Sequence, residues 1–200
     1  MRKKDVVLLI LLFAAIFAML ATCRYAYFPG DVTAEKFVQS LTPKSMNWAL
    51  LITKSAAFPW NLLLLAITFI LSWIIAGWRV ALFSILSFVG MWILGTLLSP
   101  IIARPRPSPA LVHVVGSPSG YSFPSIFALT YGSTLGFLAS LAVLKGTGVL
   151  RATLIILCSA FLVIGGIARI ALGAHWPSDI IISYFLALLW AFFLFRVASK

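Results

Sequence analysis

Acidic residues are almost missing from this chain: Asp and Glu number four in 200, against fifteen Lys and Arg. Charge of either sign is scarce, at 10% of residues, where soluble proteins carry about 25%. So few ionisable groups cannot solvate a soluble domain, which excludes cytosolic, secreted and disordered readings together. Cysteine is equally sparse. Cys23 and Cys158 are far apart in the sequence, with no metal-type spacing around them, which argues against a structural disulfide or a zinc site. No carboxylate cluster is present to hold a metal, and nothing calls for a cofactor. A net charge of +11 would suggest nucleic acid in a soluble protein, but here there is no soluble domain to bind it. The basic surplus points instead to membrane topology and contact with anionic lipid.

Apolar residues fill the chain instead, at 62% with a mean hydropathy of +1.11. They fall in runs long enough to cross a bilayer as helices. Six spans are expected: Val6–Tyr25, Phe58–Ala76, Val80–Leu98, Pro124–Leu144, Ala152–Ile170 and Ser178–Phe195. The breaks between them carry charge, Gly and Pro. With no internal repeat, the expectation is all-α: one polytopic membrane domain over residues 1–200, built as a single six-helix bundle. Arg2, Lys3 and Lys4 before Val6–Leu20, with Leu20-Ala21-Thr22-Cys23 after, resemble a lipoprotein signal. Thr22 fits that box poorly, and an uncleaved first span is the simpler reading.

The basic residues set the orientation. With the N-terminus inside, the inner set is Arg2, Lys3, Lys4, Arg79, Lys145, Arg151, Arg196 and Lys200; the outer set is Arg24, Lys36, Lys44, Lys54, Arg104, Arg106 and Arg169. The first outer loop is long, so its charges weigh less than those of the short inner turns. Both termini are therefore expected in the cytoplasm, and a bacterial inner membrane is the expected location. In the first outer loop, Asp31 can cap a short helix whose Val32, Phe37, Val38 and Leu41 form an apolar stripe, ending at Pro43. Such a helix lies on the membrane surface; a lid over the outer face is the alternative.

Two stretches on that outer face carry chemistry. In Arg104-Pro105-Arg106-Pro107 the prolines stiffen the backbone and fix where each guanidinium points, as planar phosphate recognition requires. In Arg169-Ile170-Ala171-Leu172-Gly173-Ala174-His175-Trp176-Pro177-Ser178-Asp179 an arginine at a span end precedes a His–Asp pair four residues apart. One helical turn brings that pair together, so that a carboxylate can fix the imidazole tautomer and free the other nitrogen to attack.

Arg106-Pro107, Tyr121-Ser122-Phe123-Pro124-Ser125, and Arg169 with His175 and Asp179 resemble the type 2 phosphatidic acid phosphatase superfamily. That superfamily includes membrane lipid phosphate phosphatases and vanadium haloperoxidases. Its motifs are K-x6-R-P, P-S-G-H and S-R-x5-H-x3-D. The resemblance implies that His175 is a nucleophile forming a phosphohistidine and that Asp179 orients it. It also implies that Arg106 and Arg169 bind phosphoryl oxygens, with Ser125 adding a hydrogen bond. Four family positions are altered: the lysine is Ser99, the glycine is Ile126, the acid histidine is Phe127, and the third-motif serine is Ala168.

Two functions follow from this. One is a phosphatase or phosphotransferase on a lipid phosphate or diphosphate, with His113 or Tyr121 as a substitute acid. In the other, the protein is a catalytically impaired relative that binds a lipid phosphate headgroup as regulator, partner subunit or carrier.

Overall fold

The computed structural model describes residues 3–198, with the side chains of 3–9 and 196 excepted. Arg2 and Lys200, and the side chains of Lys3, Lys4 and Arg196, all expected on the inner side, lie outside the described residues. Every regular element described is a helix: α1 Lys3–Arg24, α2 Asp31–Leu41, α3 Asn47–Ser55, α4 Trp60–Ala76, α5 Trp78–Ile102, α6 Ile126–Tyr131, a π-helical turn at Gly132–Gly136, α7 Phe137–Lys145, α8 Gly148–Ala171 and α9 Pro177–Ala198.

Four stretches are long and apolar enough to cross a membrane: α5, the continuous α6–α7 unit, α8, and α9 over Pro177–Phe195. Helices α3 and α4 pass the same test together, bent by 58°, and make a fifth. The first expected span, Val6–Tyr25, falls on α1, of which Ile10–Arg24 is an apolar stretch among the described residues. The expected span Phe58–Ala76 coincides with α4, with α3 preceding it across a bend. Phe58-Pro59 forms the break, because a proline N lacks the hydrogen that would extend α3's ladder.

Small residues let the helices approach closely, as lipid-embedded bundles require. Helix α4 packs on α5, α7 on α8, and both α5 and the π-helical turn on α9. At Gly132 an added Cβ would stand 2.6 Å from Ala187 Cβ, so this contact between the π turn and α9 depends on glycine. Thr134 Oγ1 and Ser133 Oγ both donate to Thr130 O at the start of that turn, occupying the carbonyl as the helix widens.

Helix α2 is held by its polar line, while part of its apolar stripe stays exposed. Asp31, Glu35 and Gln39, each four residues apart, form one line along it, with Asp31 and Glu35 buried. Phe37 and Leu41 are exposed on other faces. Gln39 binds across the chain: its Oε1 accepts from His113 N at 3.1 Å and its Nε2 donates to His113 O at 2.7 Å. The polar line thus seats α2 against α8 and α9.

The His113 segment and the turn after α8 meet at Gly173, where φ is +64° and an added Cβ would lie 2.2 Å from His113 O. Val115 N donates to Leu172 O at 2.9 Å beside it. Gly173→Ala is expected to cost at least the ~1–2 kcal/mol of a left-handed alanine, plus the clash, and to lower the thermal unfolding temperature in detergent. Gly30 has φ +94° in open space. Gly30→Ala carries the strain without the clash, and its cost should be clearly smaller.

Candidate functional site

Helix α5 ends at Ile102, capped by Ala103 at φ 50°, and in the loop that follows Arg104 and Arg106 point different ways. Arg104 goes inward and is almost wholly buried, at 1% exposure. Its Nε donates to Tyr25 O at 3.2 Å and its Nη2 to Asp31 Oδ2 at 3.2 Å. Its Nη1 donates to Ser178 Oγ at 3.0 Å and to Asp179 Oδ1. The Phe28 ring lies 4.8 Å from its Cζ. Four of its five N–H donors are on protein acceptors and the group is buried, so it is held by the protein and turned away from the cavity.

Arg106 faces a cavity of about 260 Å³ lined by residues that include Ser99, Tyr121, Ile126, Phe127, Arg169 and His175. Its Nε is shared between Ser119 O at 3.1 Å and Gly120 O at 3.2 Å, and its Nη1 donates to Ala174 O. The same Nη1 is 3.4 Å from His175 Nε2. Burial lowers the Arg106 pKa, with Asp179 acting in the opposite sense.

His175 is 3% exposed. Its Nδ1 is 2.6 Å from the carbonyl of Ser122. A carbonyl only accepts, so Nδ1 carries the hydrogen, and Nε2 is left with its lone pair toward the cavity. Burial, then Arg169, then Arg106 pull the His175 pKa well below the usual imidazole value, against the Ser122 hydrogen bond. The ring is therefore neutral at pH 7.

Asp179 stands 3.9 Å from His175 Nδ1, beyond hydrogen-bond reach. Its Oδ2 instead accepts from Ser122 Oγ and from Trp176 N at 3.0 Å. The carboxylate thus reaches the imidazole by fixing the residue whose carbonyl takes the imidazole proton. Ser122, Asp31, Gln39 and Thr53 are site residues that the motifs do not reveal. Asp31 had a signal, being one of only four acids in the chain, whereas Ser122 meets His175 through its backbone carbonyl, for which no residue type is a signal.

Arg169 leaves α8 toward the same cavity. Its Nη1 donates to Thr53 Oγ1 of α3 at 3.3 Å, and its Nε has no hydrogen-bond partner. Its Cζ lies 5.6 Å from the Phe127 ring centre, a cation–π contact. Phe127 in turn stacks on Tyr131, with centroids 4.3 Å apart. Room for that ring comes from Gly165, where an added Cβ would fall 2.9 Å from Phe127 Cζ. Gly95 does the same for Ile126, whose Cδ1 would be 2.5 Å from an added Cβ there. Ala168 is fully buried against Ala49 of α3, so a serine hydroxyl at this position would meet an apolar helix face.

Of the remaining candidates, two are placed apart and two line the cavity. Ser125 is fully buried, and its Oγ caps α6 by accepting from Ala128 N at 3.3 Å. Its own N–H donates to Ser183 Oγ at 3.0 Å. His113 is exposed on the loop held by Gln39. Tyr121 lines the cavity. Ser99, in place of the family lysine, also lines it and cannot supply charge.

A family model described as the PAP2 superfamily matches residues 80–200. In shape, the chain is similar to the crystal structure of a transmembrane PAP2-type phosphatidylglycerolphosphate phosphatase from Bacillus subtilis, with a TM-score of 0.73 and 21% identity over 94% of this chain and 96% of that one. At that identity the likeness speaks for the fold. No curated protein matches the sequence.

Glu35 gives the site a pH-dependent element. It is fully buried, with neither carboxyl oxygen hydrogen-bonded. Burial first, then Asp31 and Asp179, raises its pKa from 4.5 to about 8. Between those values the unfolded chain releases this proton while the folded chain keeps it. Stability present below the lower value is therefore lost as pH rises toward the upper one. Each raised unit corresponds to about 1.4 kcal/mol at most. The unfolding temperature in detergent should fall across that window in the wild type. In Glu35→Gln, which cannot ionise, the fall should flatten; an unaltered profile would assign the pH dependence to another group.

Proposed function

The chain belongs to the PAP2 superfamily, and from that premise we propose that it is an integral-membrane lipid phosphatase working through a phosphohistidine on His175. One observation carries this reading above the rest. The Nδ1–H of His175 is tied to Ser122 O, which leaves the Nε2 lone pair facing a cavity that also holds Arg106 and Arg169. A binding site for phosphate has no use for an oriented, neutral imidazole.

In the proposed step, the phosphoryl oxygens lie against Arg106 and the unpaired side of Arg169. The Nε2 lone pair attacks phosphorus, the bond to the leaving oxygen breaks, and that oxygen departs with the lipid. Water then attacks the phosphohistidine, releasing inorganic phosphate and restoring neutral His175. Asp179, through Ser122, holds the ring throughout.

The family's acid position holds Phe127, so protonation of the leaving oxygen has to come from elsewhere or be needed less. Tyr121 lines the cavity and is the better-placed substitute; His113 is held away by its loop. A lipid diphosphate suits this site best, because a phosphate leaves with less proton help than an alkoxide. In the membrane, α1, the α3–α4 pair, α5, α6–α7, α8 and α9 together supply six spans, with α2 at the interface. Arg79, Lys145 and Arg151 stand at helix ends opposite the cavity, which favours termini in the cytoplasm and a site facing the periplasm or cell exterior of a bacterial inner membrane.

A second reading, headgroup binding without turnover, is favoured by the way Gly95 and Gly165 accommodate Ile126 and Phe127. Phosphate release by purified protein from phosphatidic acid, phosphatidylglycerol phosphate and a polyprenyl diphosphate separates the two. Turnover of at least one lipid, lost in His175→Ala, is the expected result, with the diphosphate fastest. Ile126→Gly with Phe127→His should raise the rate on phosphatidic acid by a part of the ~10²–10⁴-fold that an acid supplies. No release above the His175→Ala background, together with headgroup-dependent thermal stabilisation that disappears in Arg106→Ala, would establish the binding reading instead.

The rate also has a predicted pH dependence. The nucleophile is the neutral ring, and its depressed pKa moves the acid limb below the usual imidazole range. Activity should hold as pH drops through about 6.5. A limb centred there would mean that His175 titrates as an ordinary histidine.

A further inference from the structure

We propose that Arg104 and Asp31 are positioning residues for the nucleophile, so that the loop after α1 belongs to the active site. The inference rests on the phosphatase reading for its role, and on geometry alone for its existence. Arg104 bridges two carboxylates, Asp31 Oδ2 at 3.2 Å and Asp179 Oδ1. All three side chains are nearly inaccessible, at 0% for Arg104 and 4% and 0% for the two acids.

The chain of contacts runs on to the imidazole without a gap. Asp179 Oδ1 is held by Arg104, which leaves Oδ2 for Ser122 Oγ and Trp176 N. Ser122 is fixed a second time, through its own N–H to Arg104 O at 2.8 Å. Its carbonyl then takes the proton of His175 Nδ1 at 2.6 Å. One arginine therefore sets both the side chain and the backbone of the residue that selects the tautomer.

Asp31 closes the arrangement from the other side. Its Oδ1 accepts from Ser178 N at 3.0 Å, and its Oδ2 from Ser178 Oγ at 2.7 Å and Phe28 N at 2.8 Å. It places a negative charge at the N-terminus of α9, where the helix dipole favours one. It also fixes Ser178, the neighbour of Asp179. Without Asp31, the Arg104 Nη2 fork would lose its carboxylate and could turn away from Asp179. Arg169 takes no part in this network, and Arg106 meets it only at the other ring nitrogen, His175 Nε2, at 3.4 Å, so Arg104 and Asp31 can be changed without removing a phosphate-binding arginine.

Because the chain has only two histidines, ¹⁵N-histidine NMR in detergent micelles reads His175 directly, with His113→Gln assigning the other signal. The wild type should show His175 as the neutral Nδ1–H tautomer with a slowly exchanging ring proton. In Arg104→Gln that proton should exchange rapidly and the tautomers mix. Asp31→Asn, which keeps the oxygen for Ser178, should give a milder form of the same change, and it remains readable if Arg104→Gln fails to fold. Arg104→Lys, able to meet one carboxylate, should be intermediate.

On a lipid substrate, kcat per folded molecule should fall about a hundredfold in Arg104→Gln, the loss that follows an ångström of misplacement, with KM unchanged. A wild-type tautomer and exchange rate in folded Arg104→Gln or Asp31→Asn overturns the proposal. So does a loss confined to KM. Absence of wild-type turnover would count against the phosphatase reading alone, since the NMR comparison needs no substrate.

Discussion

Three buried charges, Arg104 between Asp31 and Asp179, hold the functional end of this bundle together. In a low-dielectric interior, a set of this kind survives only when every charge is compensated by hydrogen bonds. Here the backbone supplies them: N–H groups of Phe28, Trp176 and Ser178 donate to the two acids, and Tyr25 O accepts from the arginine. The partners come from the segment after α1, the loop after α5 and the start of α9, which are distant in sequence. Removing one member of a buried pair costs about 3–5 kcal/mol because it strands the other. The same contacts that keep these segments together also hold Ser122, which bonds the His175 ring, so fold and candidate site share one set of constraints.

Helix existence was largely legible in the sequence because lipid leaves so few alternatives. A run of apolar residues in a bilayer has to satisfy its own backbone, and α5, α6–α7, α8 and α9 follow almost from hydropathy alone. Helix α2 was harder. Its Val32, Phe37, Val38 and Leu41 suggest an apolar face, yet the face that decides its seat is the polar line of Asp31, Glu35 and Gln39. In a chain with four acids, two of them on one helical line carry more information than four apolar residues among more than a hundred. Apolar periodicity loses its meaning where every surface is apolar; polar periodicity gains it. Helix α3 was missed for a related reason, since its nine residues are too short to register as a span.

At the site, local spacing carried the sequence reading as far as local structure reaches. His175 and Asp179 lie one turn apart, and that proximity was legible. Their contact was not, because the imidazole bonds to a carbonyl 53 residues away and the carboxylate bonds to the same residue's hydroxyl. A backbone acceptor has no residue type, so no pattern announces it. The two arginines of Arg104-Pro105-Arg106-Pro107 also look alike in sequence. In the structure one goes to the carboxylates and the other to the cavity.

Motif two shows how a site can change without being dismantled. The phenyl ring of Phe127 sits under Arg169, where a histidine would offer a proton, and its electrons face the guanidinium. On the mechanism proposed above, the exchange trades a proton donor for support of a phosphate-binding cation. On the same mechanism, Ser99 in place of the family lysine makes that support count for more, because two guanidiniums would carry charge stabilisation that three cations would share. On the proposed mechanism, attack by His175 and binding by Arg106 and Arg169 are retained, and departure of the leaving oxygen is the weakened step. Discrimination among lipids then falls on the leaving group. An alkoxide has to find a proton in this cavity, whereas a phosphate can leave without one, so the site favours substrates by the acidity of what departs rather than by the length of the tail.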